Sequence, residues 1–183
     1  GIARNELVPF HYWGIRDTVD FEPIPWRNGR FDTAELEAAV ETQERAEAAF
    51  REWASRRGGR TLAFCASTHH ADFMSSFFQE RGVLCASVHS GATSAPRNES
   101  IDALRTGQLE VVFSVDIFNE GLDVPDIDTV LMLRPTESPI IFLQQLGRGL
   151  RTIEGKSALT VIDFIGNHRS FLLKPRTLLS LGS

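Results

Sequence analysis

The sequence predicts an α/β fold: a parallel β-sheet with helices on both faces, preceded by an N-terminal arm over residues 1–32. Three observations carry this expectation. From residue 60 to residue 183, apolar runs of strand length alternate with segments of helical spacing, the order that a parallel sheet with crossover connections imposes. The strand runs are continuously apolar, as strands covered on both faces are. Gly82, Gly107, Pro96 and Pro139 punctuate the changes of element, each at a position where a helix stops or starts.

The arm carries two aromatic clusters: Phe10, Tyr12 and Trp13, then Phe21, Trp26 and Phe31. Leu7 to Ile15 has the composition of a strand. Pro23 and Pro25 interrupt regular structure, and Asn28-Gly29 signals a turn. The domain proper is expected over 33–183. Asp32 or Thr33 can cap its first helix, with Glu35 and Glu37 where carboxylates suit the dipole. Leu36, Val40, Gln43, Glu47, Phe50 and Trp53 follow at helical spacing, and Gly58-Gly59 ends the helix or helix pair. Then come a strand over Thr61–Ala66, a helix over Ala71–Arg81 and a strand over Val83–Val88. A helix capped by Ser94 ends at Gly107. Strands over Glu110–Ser114 and Thr129–Leu133 follow, with a helix from Ser138 to about Leu146, a strand over Ala158–Phe164 and a helix from Asn167.

Composition narrows the class. A chain of 183 residues that is 42% hydrophobic can bury one core. Its net charge of −5 argues against gripping a polyanion by bulk charge. Yet Gln144–Arg176 holds six basic residues against two acidic ones, so any such contact is local. Cys65 and Cys85 sit in apolar runs without a CxxC partner, which fits buried reduced thiols in a cytoplasmic protein and excludes a disulfide framework. His69-His70 has no third ligand at useful sequence spacing, so no metal site is expected. No apolar run approaches the ~20 residues that span a membrane. The chain opens on Gly1 without a visible signal peptide, which reads as an excised segment of a longer protein.

Two segments carry chemistry. Gln144-Gln145-Leu146-Gly147-Arg148-Gly149-Leu150-Arg151 reads Q-x-x-G-R-x-x-R. Arginines three apart share one side of a helical turn, and each offers a permanently charged planar fork to phosphate oxygens. The competing reading is a solvated basic helix end that complements the dipole. The second segment follows the strand that ends at Ser114: Val115 and Asp116, then a loop holding Gly121 and Asp123. Ligands gather at the carboxyl ends of strands in open α/β sheets. Asp123 could accept a ribose hydroxyl, and amides near Ser114 and Val115 could hold a phosphate. Alternatively, Asp116 and Asp123 only cap the loop.

These segments resemble motifs V and VI of superfamily 2 DEAD/DEAH-type helicases. Leu62–Thr68 resembles motif IV. Ser87–Gly91, with Arg97 and Leu104-Arg105-Thr106-Gly107, resembles the stretch leading into motif V. The spacing is similar to that of the excision-repair helicase-like subunit and of restriction-enzyme helicase subunits. Leu7–Ile15 resembles the connector between two motor domains. The chain is thus similar to the C-terminal, RecA-like half of such a motor. The resemblance implies that Arg148 and Arg151 contact the γ-phosphate of ATP, with Arg151 the finger and Gln144 positioning. It places Gly121, Asp123 and Gly147 at the nucleotide. It places Ser67, Thr68, His89, Ser90, Gly91, Arg97, Ser114 and Val115 along a nucleic-acid backbone, of DNA or alternatively RNA. Val115 departs from the threonine of many relatives and leaves only its backbone amide. The glutamine that relatives carry before Arg97 has no clear counterpart.

A phosphate loop, G-x-x-x-x-G-K-[ST], is missing: Gly155-Lys156-Ser157 would need a glycine where Leu150 stands. No D-E-x-[DH] box for magnesium occurs. ATP and Mg2+ are therefore expected mainly on an N-terminal motor domain of the same protein, and the segment alone is expected to be inactive. The alternatives are a duplex-DNA translocase subunit of a restriction or nuclease system, and a non-catalytic α/β docking module. Tyr12 and Trp13 could stack on a base, or pack within or between domains.

Overall fold

The computed structural model describes residues 10–57, 59–116, 127–135 and 159–165. The helices expected from Ser138 and from Asn167 lie outside them, as do Gly121, Asp123, Gln144, Gly147, Arg148 and Arg151.

Asp32 caps α1 (Thr33–Val40), its carboxylate accepting the Glu35 N–H at 3.0 Å. Thr42 then caps α2 (Gln43–Arg56) through the Arg45 N–H at 3.2 Å. Each such cap is worth about 1 kcal/mol. The break at Glu41-Thr42 resets the helical phase. Leu36 and Val40 are buried on α1, but α2 buries Arg45, Ala46, Ala49 and Trp53 and exposes Gln43 and Glu47. The single stripe expected from the sequence is two stripes. Ser67 caps α3 (Thr68–Gln79) by accepting the His70 N–H, so this helix starts three residues before its expected Ala71. Helix α4 (Arg97–Thr106) ends as expected, at Gly107 with φ 84°. Its start differs. Pro96 holds the cap position without a side-chain bond. Ser94 instead accepts the His89 N–H at 2.9 Å and donates to the Ala95 carbonyl, which ties down the loop before the helix.

Strands β1 (Phe10–Arg16), β4 (Thr61–Phe64), β5 (Cys85–Ser87), β6 (Val111–Ser114), β7 (Thr129–Met132) and β8 (Leu159–Ile165) form one parallel sheet in the order β1-β8-β7-β4-β6-β5. A separate two-stranded hairpin pairs β2 (Trp26–Arg27) with β3 (Arg30–Phe31). Alternate side chains of each strand feed opposite cores. Ala63, Cys65, Phe113, Leu131 and Ile162 pack under α2 and α3. Leu62, Phe64, Val112, Val130 and Val161 pack on the other face, where α4 supplies Ile101 and Leu104. Helices on both faces give the expected α/β architecture.

The N-terminal stretch is built into this frame. β1 is the sheet edge beside β8. Phe21, Ile24 and Phe31 join Leu36 and Val40 in a small third core that abuts Ala66, at the end of β4. Asp17, just past β1, forms a buried ion pair with Arg45 of α2. No helix among the described residues is long and apolar enough to cross a membrane.

Candidate functional site

The chain leaves β4 toward β5 on one side of the sheet and leaves β6 and β7 toward the other. This reversal puts the topological switch at β4 and its neighbours, where a crevice opens at the carboxyl ends of the strands. The described candidates lie there: Ser67 and Thr68 after β4, His89, Ser90 and Gly91 after β5, Ser114 and Val115 at the end of β6.

The β4–α3 turn is held from both sides. His70 is fully buried, and its Nδ1 accepts the Ala66 N–H at 2.9 Å. Burial, aided by the positive charge of Arg45, keeps this imidazole well below its usual pKa and hence neutral. Ser67 accepts the His70 N–H and donates to Glu37 of α1. The Ser67 hydroxyl proton is therefore committed within the protein. What the turn offers an anion is the start of α3, where Thr68 and His69 carry the first amides of the helix.

Beside it sits the β5–α4 loop. His89 Nδ1 accepts the Gly91 N–H at 3.0 Å, so the ring proton resides on Nε2, which donates to Asp72 at 2.8 Å. Asp72 also accepts from Ser87 at 2.7 Å and from Thr93. Burial alone would raise the Asp72 pKa; the bonds from Thr93, Ser87 and His89 outweigh it and hold the carboxyl below its usual range. One carboxylate on α3 thus fixes both ends of the loop. Space at Gly91 is tight: a Cβ on it would lie 3.1 Å from the His89 ring and 3.7 Å from Thr68 Cβ. The two loops come close at this point, and Ser90 is exposed beside it.

The β6 end is more enclosed. Ser114 is buried, and its carbonyl accepts the Cys65 N–H at 2.7 Å. Val115 packs its side chain against the α2–α3 core. Arg97 is half-buried at the first position of α4. Arg134, past β7, has its pKa lowered by burial, opposed by the charge of Asp116 past β6. The buried Cys65 thiol is pushed far up by desolvation and is chemically inert at neutral pH.

Asp72 was not a sequence candidate, because nothing near it in the chain marks a link to residues 87–93. His69 also gains neighbours that sequence spacing could not show. Glu37, Glu41 and His69 bring donor atoms within 4.8 Å of one another. Their contacts are internal: His69 is bonded to Glu41, which raises its pKa, and Glu37 is bonded to Ser67.

Residues 40–152 match the family model of the helicase conserved C-terminal domain. The putative ATP-dependent helicase IRC3 of Saccharomyces cerevisiae is 31% identical over 97% of this chain, which spans only 26% of that protein. UvrABC system protein B of Gloeothece citriformis is 31% identical over 57% of the chain and 16% of its own length. Among solved structures, the Escherichia coli DEAD-box protein SrmB superposes with a TM-score of 0.61 at 16% identity, covering 95% of this chain and 87% of that one. The C-terminal domain of the DEAD-box protein Dbp5 gives 0.60 at 13%, covering 96% and 85%. These two likenesses concern the fold, which is RecA-like. With most of its length inside the matched model, the chain belongs to the helicase C-terminal domain family, the second motor half of superfamily 2 proteins.

Proposed function

We propose that this domain is the C-terminal half of an ATP-dependent helicase, which supplies an arginine finger and part of the nucleic-acid track. The observation that carries the reading is the meeting of Thr68, His89 and Gly91 at the carboxyl edge of the sheet, in a chain of the helicase C-terminal family.

The β4–α3 and β5–α4 loops present amides and small side chains to a phosphodiester backbone: Thr68, Ser90 and Gly91 directly, with His89 and Ser67 shaping the loops. Arg97, Ser114 and Val115 extend this surface. Such contacts position a protein without reading sequence. They serve DNA in this reading, with RNA as the alternative. Gly121, Asp123 and Gly147 approach the nucleotide. Gln144, Arg148 and Arg151 meet the γ-phosphate, with Arg151 stabilising charge in the transition state. Among the described residues the one group of three potential metal ligands is Glu37, Glu41 and His69, and Ser67 and Glu41–His69 contacts already occupy it. ATP and Mg2+ are held mainly by an N-terminal motor domain in this reading, since the sequence carries neither a phosphate loop nor a D-E-x-[DH] box, and this segment alone is inactive. The chain's own part is to close on the triphosphate and move the strand-contacting loops. A cytoplasmic setting belongs to the same reading.

The test is single-turnover ATP hydrolysis by the intact protein, with and without DNA. Arg151→Ala should lose on the order of 10³-fold in rate while keeping nucleotide affinity. An unchanged rate would reduce the Q-x-x-G-R-x-x-R segment to a structural helix end.

A further inference from the structure

We infer that the β2–β3 hairpin is a second phosphate-backbone contact, made by Arg27 and Arg30; the inference rests on the nucleic-acid reading proposed above. The hairpin is a tight ribbon whose two-residue turn, Asn28-Gly29, has φ of 53° and 78°. Those values fit the primed turn that locks strand register. Register therefore sets Trp26 opposite Phe31 and Arg27 opposite Arg30. Successive residues face opposite sides of a ribbon. Phe31 is buried in the small third core, with Trp26 edge-on to it at 4.7 Å. The outward face is then Arg27 and Arg30, both exposed.

Like charges directly opposite one another destabilise an antiparallel pair. Other arginines of the domain, such as Arg45, Arg56, Arg57, Arg81 and Arg105, meet carboxylates. Arg27 and Arg30 form no ion pair with any described residue. A rigid pair of guanidinium groups that no described carboxylate pairs with, in a chain of net charge −5, suits a polyanion that lies across both. The two arginines line a cleft of about 510 Å³ with Pro25, Asn28, Phe31 and Thr33. Asp32 and Glu35 also line this cleft; the Asp32 carboxylate accepts the Glu35 N–H, and the two acids keep the patch local.

Position supports the assignment. The Asp32 N–H bonds the Pro25 carbonyl at 2.8 Å, closing the hairpin onto the start of α1. Glu37, one helical turn along α1 (about 6 Å at 1.5 Å per residue), bonds Ser67 in the β4–α3 turn. The hairpin is thus linked through α1 to the edge that carries Thr68 and Gly91. A single strand on those loops would continue onto Arg27 and Arg30.

The experiment is fluorescence anisotropy of labelled oligothymidylate and oligouridylate with the intact protein, titrated across salt concentrations. For single strands each phosphate contact adds about 0.7 to the slope of log Kobs against log salt. Arg27→Gln with Arg30→Gln should lower that slope by about 1.4. Arg27→Lys with Arg30→Lys should retain it, which separates lost charge from lost packing. Arg51→Gln, exposed on α2 toward the opposite edge of the sheet, should leave it unchanged. An unchanged slope in the double glutamine variant, with wild-type binding intact, would overturn the hairpin contact alone. Absence of binding by the wild type to either oligonucleotide would overturn the nucleic-acid reading and the hairpin with it.

Discussion

The two halves of the sheet's carboxyl edge handle polar groups in opposite ways. Around β1, β8 and β7 the groups are sealed. Arg45 and Asp17 pair at 2.7 Å with side chains 2% and 1% exposed, and Arg45 also donates to the Leu133 carbonyl at 2.7 Å. Tyr12 donates to the buried Asp163 at 2.6 Å. Around β4, β5 and β6 the central carboxylate is Asp72, whose side chain is 32% exposed and whose partners lie in a loop. The sealed half joins β1, α2 and β7 into a frame. The open half uses similar bonds to shape a surface.

That contrast breaks first at Arg45. Arg45→Ala leaves Asp17 charged and buried, which should cost about 3–5 kcal/mol in urea denaturation. A cost under about 1 kcal/mol, the range of an exposed pair, would mean that the frame does not depend on this bond.

Next comes Asp163. Burial pushes its pKa up to about 6, with a smaller contribution from the charge of Asp17 and opposition from the Tyr12 hydrogen bond. The folded state then holds this proton more tightly than the unfolded chain does. Its contribution is fully present below about pH 4 and is lost as pH rises through about 6, an effect of about 3 kcal/mol. Asp163→Asn keeps an acceptor for Tyr12 and removes the titration. Stability curves of the two proteins should diverge over that window, with the variant favoured at neutral pH. Parallel curves would place Asp163 in contact with water.

Asp72→Asn should cost less, about 1–2 kcal/mol, because its partners can partly turn to solvent. Its larger effect should fall on the nucleic-acid Kd of the intact protein, through a loosened 89–94 loop. A stability loss equal to that of Arg45→Ala with Kd unchanged would erase the distinction between the halves. Gly91→Ala is the mildest change. Its Cβ meets the His89 ring at 3.1 Å, so the ring must give by a few tenths of an ångström. The expected outcome is a stability loss under about 1 kcal/mol and a few-fold weaker Kd. No change in Kd would show that the meeting of the two loops is not used.

The alternation of elements was legible because strands covered on both faces are written as apolar runs such as Thr61–Phe64, and helix ends as local signals such as Asp32 and Gly107. Ser94 misled because Pro96 sits between it and the helix. Arg45 could not be singled out: α2 holds other arginines, and the partner that selects this one, Asp17, is 28 residues earlier. Asp72 was hidden for the same reason. The loop residues Thr68, His89, Ser90 and Gly91 were singled out through motif resemblance, while the nearness of their two loops is a product of strand order, which no local pattern contains. The nucleotide-facing candidates, from Gly121 to Arg151, were singled out by sequence and lie outside the described residues.

Residues at the two ends of one strand test the central claim. Leu84, before β5, and Ser90, after it, are both exposed, and the native Cys65 and Cys85 are buried. A photo-crosslinker attached through Ser90→Cys or Leu84→Cys in the intact protein would report which edge meets a labelled single strand. Crosslinking at position 90 and little at position 84 is expected. Equal yields, or a preference for 84, would contradict a nucleic-acid track at the carboxyl edge of the sheet.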